Sequence, residues 1–165
     1  MYCFEVVIIN NIYVYTNQNI LTFPKCGIKT HAYIGKNGLT TNKIEGDGKT
    51  PLGEFELGII LSMQKDITEN MYWIDDVNSN YYNQLVDITK VQKDWATAEH
   101  LIDYPIQYEY LIEIKINPNN IPKKGSAVFL HCENKKPTAG CIAIDRNVMK
   151  QIIENTDNKT KIIIC

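Results

Sequence analysis

β-branched and aromatic residues recur along this chain in short runs, and polar turn residues separate each run from the next. Residues 5–10 and 12–15 are two such runs, divided at Asn10-Asn11, and together they predict a hairpin. Residues 54–61 predict another strand. Residues 108–116 alternate in the β pattern and stop at Asn117-Pro118. Residues 126–131, 141–144 and 159–165 complete the predicted strands. Turn residues at Pro24, Gly27, Gly35, Asn37-Gly38, Gly46-Asp47-Gly48, Pro51 and Gly53 exclude long helices from the first third. Helix signals are few. Asp145 or Asn147 caps a short helix running to about Asn155, with Val148 or Met149, Ile152 and Ile153 as its apolar face. Residues 89–101 have room for one or two further turns. The pattern predicts a mainly β fold, a sandwich or half-closed barrel with a few short helices outside it. No repeat, low-complexity segment or linker interrupts it, so residues 1–165 read as one domain.

Composition narrows the function classes. At 165 residues the chain can bury a core without disulfide staples, and its net charge is −2. It has no basic run of the kind that binds nucleic acid, so a nucleic-acid partner is not expected. No apolar run reaches the length of a membrane span. The N-terminus lacks the basic, apolar and small-residue succession of an export signal. Five cysteines, an odd number with no CxxC spacing, do not make a disulfide framework. Cys3, Cys26, Cys132 and Cys165 read as buried or incidental thiols. Cys141 differs, because a glycine precedes it and a turn positions it.

That turn carries the candidate chemistry. An apolar run, Ala127-Val128-Phe129-Leu130, delivers His131. Pro137-Thr138-Ala139-Gly140 then delivers Cys141 at the head of a second apolar run. A free thiol titrates near ~8.5 and needs a base to act as a nucleophile at neutral pH. Two strands presenting His131 and Cys141 from a shared edge would supply the pair. Gly140, with no Cβ, can adopt backbone angles that turn its own N–H and that of Cys141 towards a developing oxyanion. Zinc is the alternative. It needs three or four N/S ligands, but His131 and Cys132 are strand neighbours and point to opposite faces, and nothing places Cys26 and His31 beside them.

The run Phe129-Leu130-His131, a short loop, then Pro137-Thr138-Ala139-Gly140-Cys141-Ile142-Ala143 resembles the active-site signature of the L,D-transpeptidase catalytic domain of the YkuD type. Gly35-Lys36-Asn37-Gly38 and the stretch from Glu45-Gly46-Asp47-Gly48-Lys49-Thr50-Pro51 to Phe55 are similar to that family's glycine-rich early segment. Trp73-Ile74-Asp75-Asp76 with Tyr81-Tyr82-Asn83 is similar to its middle region. The resemblance covers about residues 30–145. It implies acyl transfer on peptidoglycan stem peptides. Cys141 would match the nucleophile and His131 the base. D-Alanine would leave, a thioester would form, and the amine of an acceptor stem would resolve it into a 3→3 cross-link. Such chemistry implies no cofactor and a location outside the cytoplasm, where the substrate lies; with no export signal visible, action in the cytoplasm on precursors or recycled fragments is the alternative. The chain is read as a monomer without a metal. Three departures mark a divergent branch: Ala139 stands where the best-known members have a second histidine, Ala143 where many have arginine or asparagine, and the His-to-Cys interval is shorter.

Further residues have two readings each. Trp73, Tyr82 and Asn83 would line a cleft for an extended peptide, or be partly buried aromatics and amides of a loop. Glu99 and His100 would contact a charged stem group, or hold a loop. Thr138 joins the expected substrate contacts from the cysteine turn. Two other functions share these residues. An L,D-carboxypeptidase would use water as acceptor, and a wall-binding module would keep the fold without catalysis.

Overall fold

A computed structural model describes residues 10–165. Its strands in chain order are β1 (Ile12–Tyr15), β2 (Ile20–Phe23), β3 (Ile28–Tyr33), β4 (Leu39–Thr40), β5 (Thr50–Pro51), β6 (Gly53–Ser62), β7 (Met71–Trp73), β8 (Leu85–Asp87), β9 (Glu99–His100), β10 (Tyr110–Ile114), β11 (Phe129–Cys132), β12 (Ile142–Ile144) and β13 (Lys161–Ile164). Among the described residues one α-helix, α1 (Arg146–Asn155), lies between β12 and β13. Eight strands close a barrel in the order β1-β13-β6-β10-β11-β12-β3-β2. The fold is mainly β as predicted, and the barrel is closed rather than half-closed. Closure comes from β1 and β13, which pair in parallel with Ile12 opposite Ile162 and so leave no free edge.

Period-two alternation fills the barrel. Ile12, Val14, Leu21, Phe23, Leu130, Ile142, Ile144, Ile162 and Ile164 all point into one buried core. The Asp145 carboxylate accepts from the N–H groups of Asn147 and Val148 and starts α1. The helix adds Met149 and Ile152 to the core. Outside the barrel a second sheet, in the order β8-β7-β9, packs through Trp73 on Phe129. A second apolar cluster fills the space between them, built from Trp73, Leu101, Tyr108, Leu111, Phe129 and Cys141.

Several boundaries differ from those predicted. The hairpin's first arm lies outside the described residues apart from Asn10, and β1 makes its hairpin with β2 instead. Residues 126–128 are not strand, because Ala127 takes a left-handed φ of 51°. Cys141 falls just before β12, because Gly140 has φ 139°. Residues 89–101 form no α-helix. The Asp94 carboxylate binds Ser79 and Asn80, and the Asp76 carboxylate binds the N–H of Ala96, so side chains satisfy this segment locally. Only a 3-10 turn follows, at Leu101–Asp103.

Candidate active site

β11 and β12 are parallel neighbours, with Leu130 opposite Ile142 and His131 opposite Ala143. Side chains at paired positions share a face. Leu130, Cys132, Ile142 and Ile144 therefore enter the barrel core, while Phe129, His131 and Cys141 face the second sheet. The loop 133–141 joins these parallel strands and is clamped along its course. Thr138 exchanges main-chain bonds with Ile34 and Lys36 (3.0 and 2.9 Å). The fully buried Thr50 hydroxyl accepts from the N–H of Gly35 (2.8 Å) and donates to the Gly140 carbonyl (2.9 Å). Beneath it, Asp47 accepts from Lys43 Nζ and from the N–H groups of Ile44 and Lys49. The Gly-Asp-Gly-Lys-Thr stretch thus braces the cysteine turn. Glycine is required at the contact points, since a Cβ on Gly35 would lie 2.5 Å from the Gly48 carbonyl oxygen.

A cavity of about 380 Å3 opens on this turn, and Cys141, His131, Gly140, Thr138 and Glu99 all line it. His131 Nδ1 lies 2.8 Å from the Cys132 carbonyl oxygen. A carbonyl only accepts, so Nδ1 carries the proton and Nε2 keeps its lone pair. Cys141 Sγ accepts from the N–H of Phe129 (3.3 Å) and donates to the Ala127 carbonyl (3.3 Å). The Tyr108 and His131 rings meet in a T-shaped arrangement with centroids 5.6 Å apart, and Tyr108 donates its hydroxyl to Glu99 at 2.6 Å.

Electrostatics set the resting state of the pair. Burial pushes the Cys141 thiol up to about 12, helped by the Glu99 carboxylate and opposed by the Phe129 N–H and Lys43. Burial also lowers His131 to about 4, against the Cys132 carbonyl. The resting pair is therefore a neutral thiol and a neutral imidazole, not an ion pair, because desolvation of both outweighs their neighbours. The expected oxyanion pair is also reduced. The N–H of Gly140 donates to Thr138 Oγ1 (3.1 Å), and Thr138 in turn donates to the Cys141 carbonyl (2.7 Å).

Four sequence candidates do not line the cavity, since their polar atoms are spent internally. Trp73 is 1% exposed and donates Nε1 to Asn83 Oδ1 (3.2 Å). Asn83, at φ 57°, uses its amide nitrogen on the Asn117 carbonyl and Asn120. Tyr82 donates to Glu45. His100 stacks on Tyr72 at 4.2 Å, with its ring nitrogens on Asp103 and the Glu69 carbonyl. These four support the cavity rather than form its wall. Lys43, Asp75, Tyr108 and Ser126 do line it, and they were missed. Of these, Asp75 lies within the Trp73-Ile74-Asp75-Asp76 stretch and Lys43 just before the Glu45–Phe55 stretch, while Tyr108 and Ser126 lie at the starts of predicted strands. Among the described residues no three His, Cys, Asp or Glu side chains are grouped to hold a metal ion, and no helix is long and apolar enough to cross a membrane.

A family model for the L,D-transpeptidase catalytic domain matches residues 5–164. No protein of curated function matches the chain. Among solved structures, the helical cell shape determining protein Pgp2 from Campylobacter jejuni aligns with TM-score 0.51 and 16% identity, over 93% of this chain and 46% of its own. Bd1075 from Bdellovibrio bacteriovorus aligns with TM-score 0.50 and 18% identity over the same shares. An L,D-transpeptidase from Xylanimonas cellulosilytica aligns with TM-score 0.48 and 12% identity, over 94% of this chain and 59% of its own. This chain spans about half the length of these proteins. At such identities the likeness to Pgp2 and Bd1075 is one of fold.

Proposed function

The chain belongs to the L,D-transpeptidase catalytic domain family, and on that premise we propose that it transfers an acyl group of a peptidoglycan stem peptide through a thioester on Cys141. One observation carries the reading: His131, held by Nδ1 on the Cys132 carbonyl, shares a cavity with the thiol and keeps Nε2 free to take its proton. Cys141 Sγ attacks the carbonyl of the third stem residue as its proton moves to Nε2. The C–N bond then breaks, and His131 returns the proton to the departing D-alanine amine. With the N–H of Gly140 already used, the oxyanion falls to the N–H of Cys141 and to Lys43, whose ammonium lines the cavity and keeps a third N–H beyond those given to Asp47 and the Lys49 carbonyl. A side-chain amine of an acceptor stem resolves the thioester and leaves a 3→3 cross-link. Peptidoglycan lies outside the cytoplasmic membrane, so the reading locates the protein there.

Intact-mass measurement with a carbapenem and product analysis with a tetrapeptide donor test this. Wild type should gain a covalent adduct and release D-alanine, and Cys141→Ala should do neither. Adding an acceptor amine distinguishes the cross-linking transferase from a carboxypeptidase. A wild type that forms no adduct and releases no D-alanine would overturn the proposal and leave a wall-binding module.

A further inference from the structure

Acylation leaves one wall of the cavity unused. Glu45, Asp75 and Glu99 line it, and among the described residues none of the three is paired with a cation. Glu45 and Glu99 accept from the phenols of Tyr82 and Tyr108, which bring no positive charge. Among the described residues Asp75 Oδ1 is buried and accepts nothing, and the Oγ of Ser126, a residue only 7% exposed on the same wall, is buried without a hydrogen-bond partner too. A buried polar atom left unpaired costs about 1–3 kcal/mol, and native proteins keep few of them. The cations lining the cavity do not fill the gap, because Lys43 is committed to Asp47 and the Lys49 carbonyl, and Lys136 is exposed. Burial and the nearby Asp75 and Glu45 raise Glu99 to about 7, against the Tyr108 hydrogen bond.

These groups do not converge as metal donors. They suit a larger cation with several N–H donors on one charge, which describes a primary ammonium. They also stand beside the reacting atoms: the Tyr108 hydroxyl bonds Glu99 while its ring meets His131, and the Glu99 charge is felt at Cys141.

We propose that Asp75, Glu99 and Ser126 form the site that receives the primary ammonium of the acyl acceptor, and that Glu99 removes the proton its nitrogen must lose before attack. This rests on the acyl-transfer reading. One proton passes from the ammonium to the Glu99 carboxylate. The freed lone pair forms the N–C bond at the thioester carbonyl, the C–S pair leaves with Sγ, and His131 carries the second nitrogen proton to sulfur. The products are an amide, the free thiol and a protonated Glu99, which then releases its proton to solvent.

The test follows transfer from a tetrapeptide donor to two acceptors at neutral pH, a stem peptide with a free side-chain amine and uncharged hydroxylamine, with the thioester monitored by intact mass. In Glu99→Gln the ratio of the acceptor KM values, ammonium over hydroxylamine, should rise at least tenfold. Ser126→Ala should raise the same ratio severalfold. An unchanged ratio in both variants would overturn the proposal, as would a wild-type thioester resolved only by water. A wild type that never forms the thioester would overturn the acyl-transfer reading itself.

Discussion

Acid should weaken this protein through His131 and strengthen it through Glu99, and the two effects are separable. The imidazole titrates at 6.5 ordinarily and at about 4 in the buried site. Between those values the folded protein binds fewer protons than the unfolded chain. The stability it contributes is complete above pH 6.5 and is lost as the pH falls towards 4. Each unit in that window removes about 1.4 kcal/mol, hence about 3 kcal/mol in all. Glu99 runs the other way. Its carboxyl titrates at 4.5 ordinarily and at about 7 here, so its contribution is complete below pH 4.5 and is lost as the pH rises to 7, again by about 3 kcal/mol. In wild type the two nearly cancel between pH 4.5 and 6.5. Urea unfolding of His131→Gln and Glu99→Gln across that window uncovers each in turn. As the pH falls, Glu99→Gln should lose stability and His131→Gln should gain it. The difference between the two variants should change by about 5 kcal/mol across the window. Parallel curves would refute burial as the cause of both shifts and, with it, the neutral resting pair.

Thr50→Val keeps the side chain's shape but strands the Gly35 N–H and the Gly140 carbonyl, both buried partners of the hydroxyl. It should cost about 2–4 kcal/mol by denaturant unfolding, while Thr50→Ser stays near wild type. Gly140→Ala places a Cβ 2.9 Å from the Lys49 carbonyl oxygen at a φ of 139°. It should cost about 1–3 kcal/mol and slow carbapenem acylation in an intact-mass time course. A wild-type acylation rate in that variant would show that the turn's geometry does not set the reactivity of Cys141.

Strands rich in isoleucine and valine were legible because their burial depends on local alternation, and α1 was legible because Asp145 caps it from the adjacent position. Barrel closure was not, because it rests on pairing β1 with β13 from the far end of the chain. β4, β5 and β9 are two residues long, too short for any period to show. The site divides in the same way. His131, Gly140 and Cys141 belong to one contiguous stretch and could be read from it. Lys43, Thr50, Asp75 and Ser126 come from four separate segments, and only the fold brings them to the turn. Trp73, Tyr82 and Asn83 carry side chains able to face a peptide. Packing took their polar atoms first.

The cost of building the site on a buried face explains its resting chemistry. Cys132 and Cys141 both lie against apolar clusters, and burial raises both thiols, to about 11 and about 12. Burial therefore does not distinguish the nucleophile from the incidental thiol. What distinguishes Cys141 is the face it occupies: alternation along β11 sends Cys132 inward and His131 outward, and Cys141 opens on the same cavity as His131. A neutral pair in that cavity gains little from separating charge until an electrophilic carbonyl accepts the sulfur's electrons. Proton transfer to Nε2 and attack by Sγ are then coupled, and Lys43 and the turn's N–H stabilise the charge once it has moved to oxygen. Reactivity in this site is thus conferred by the substrate's arrival, and a small alkylating reagent that lacks the carbonyl should meet a sluggish thiol.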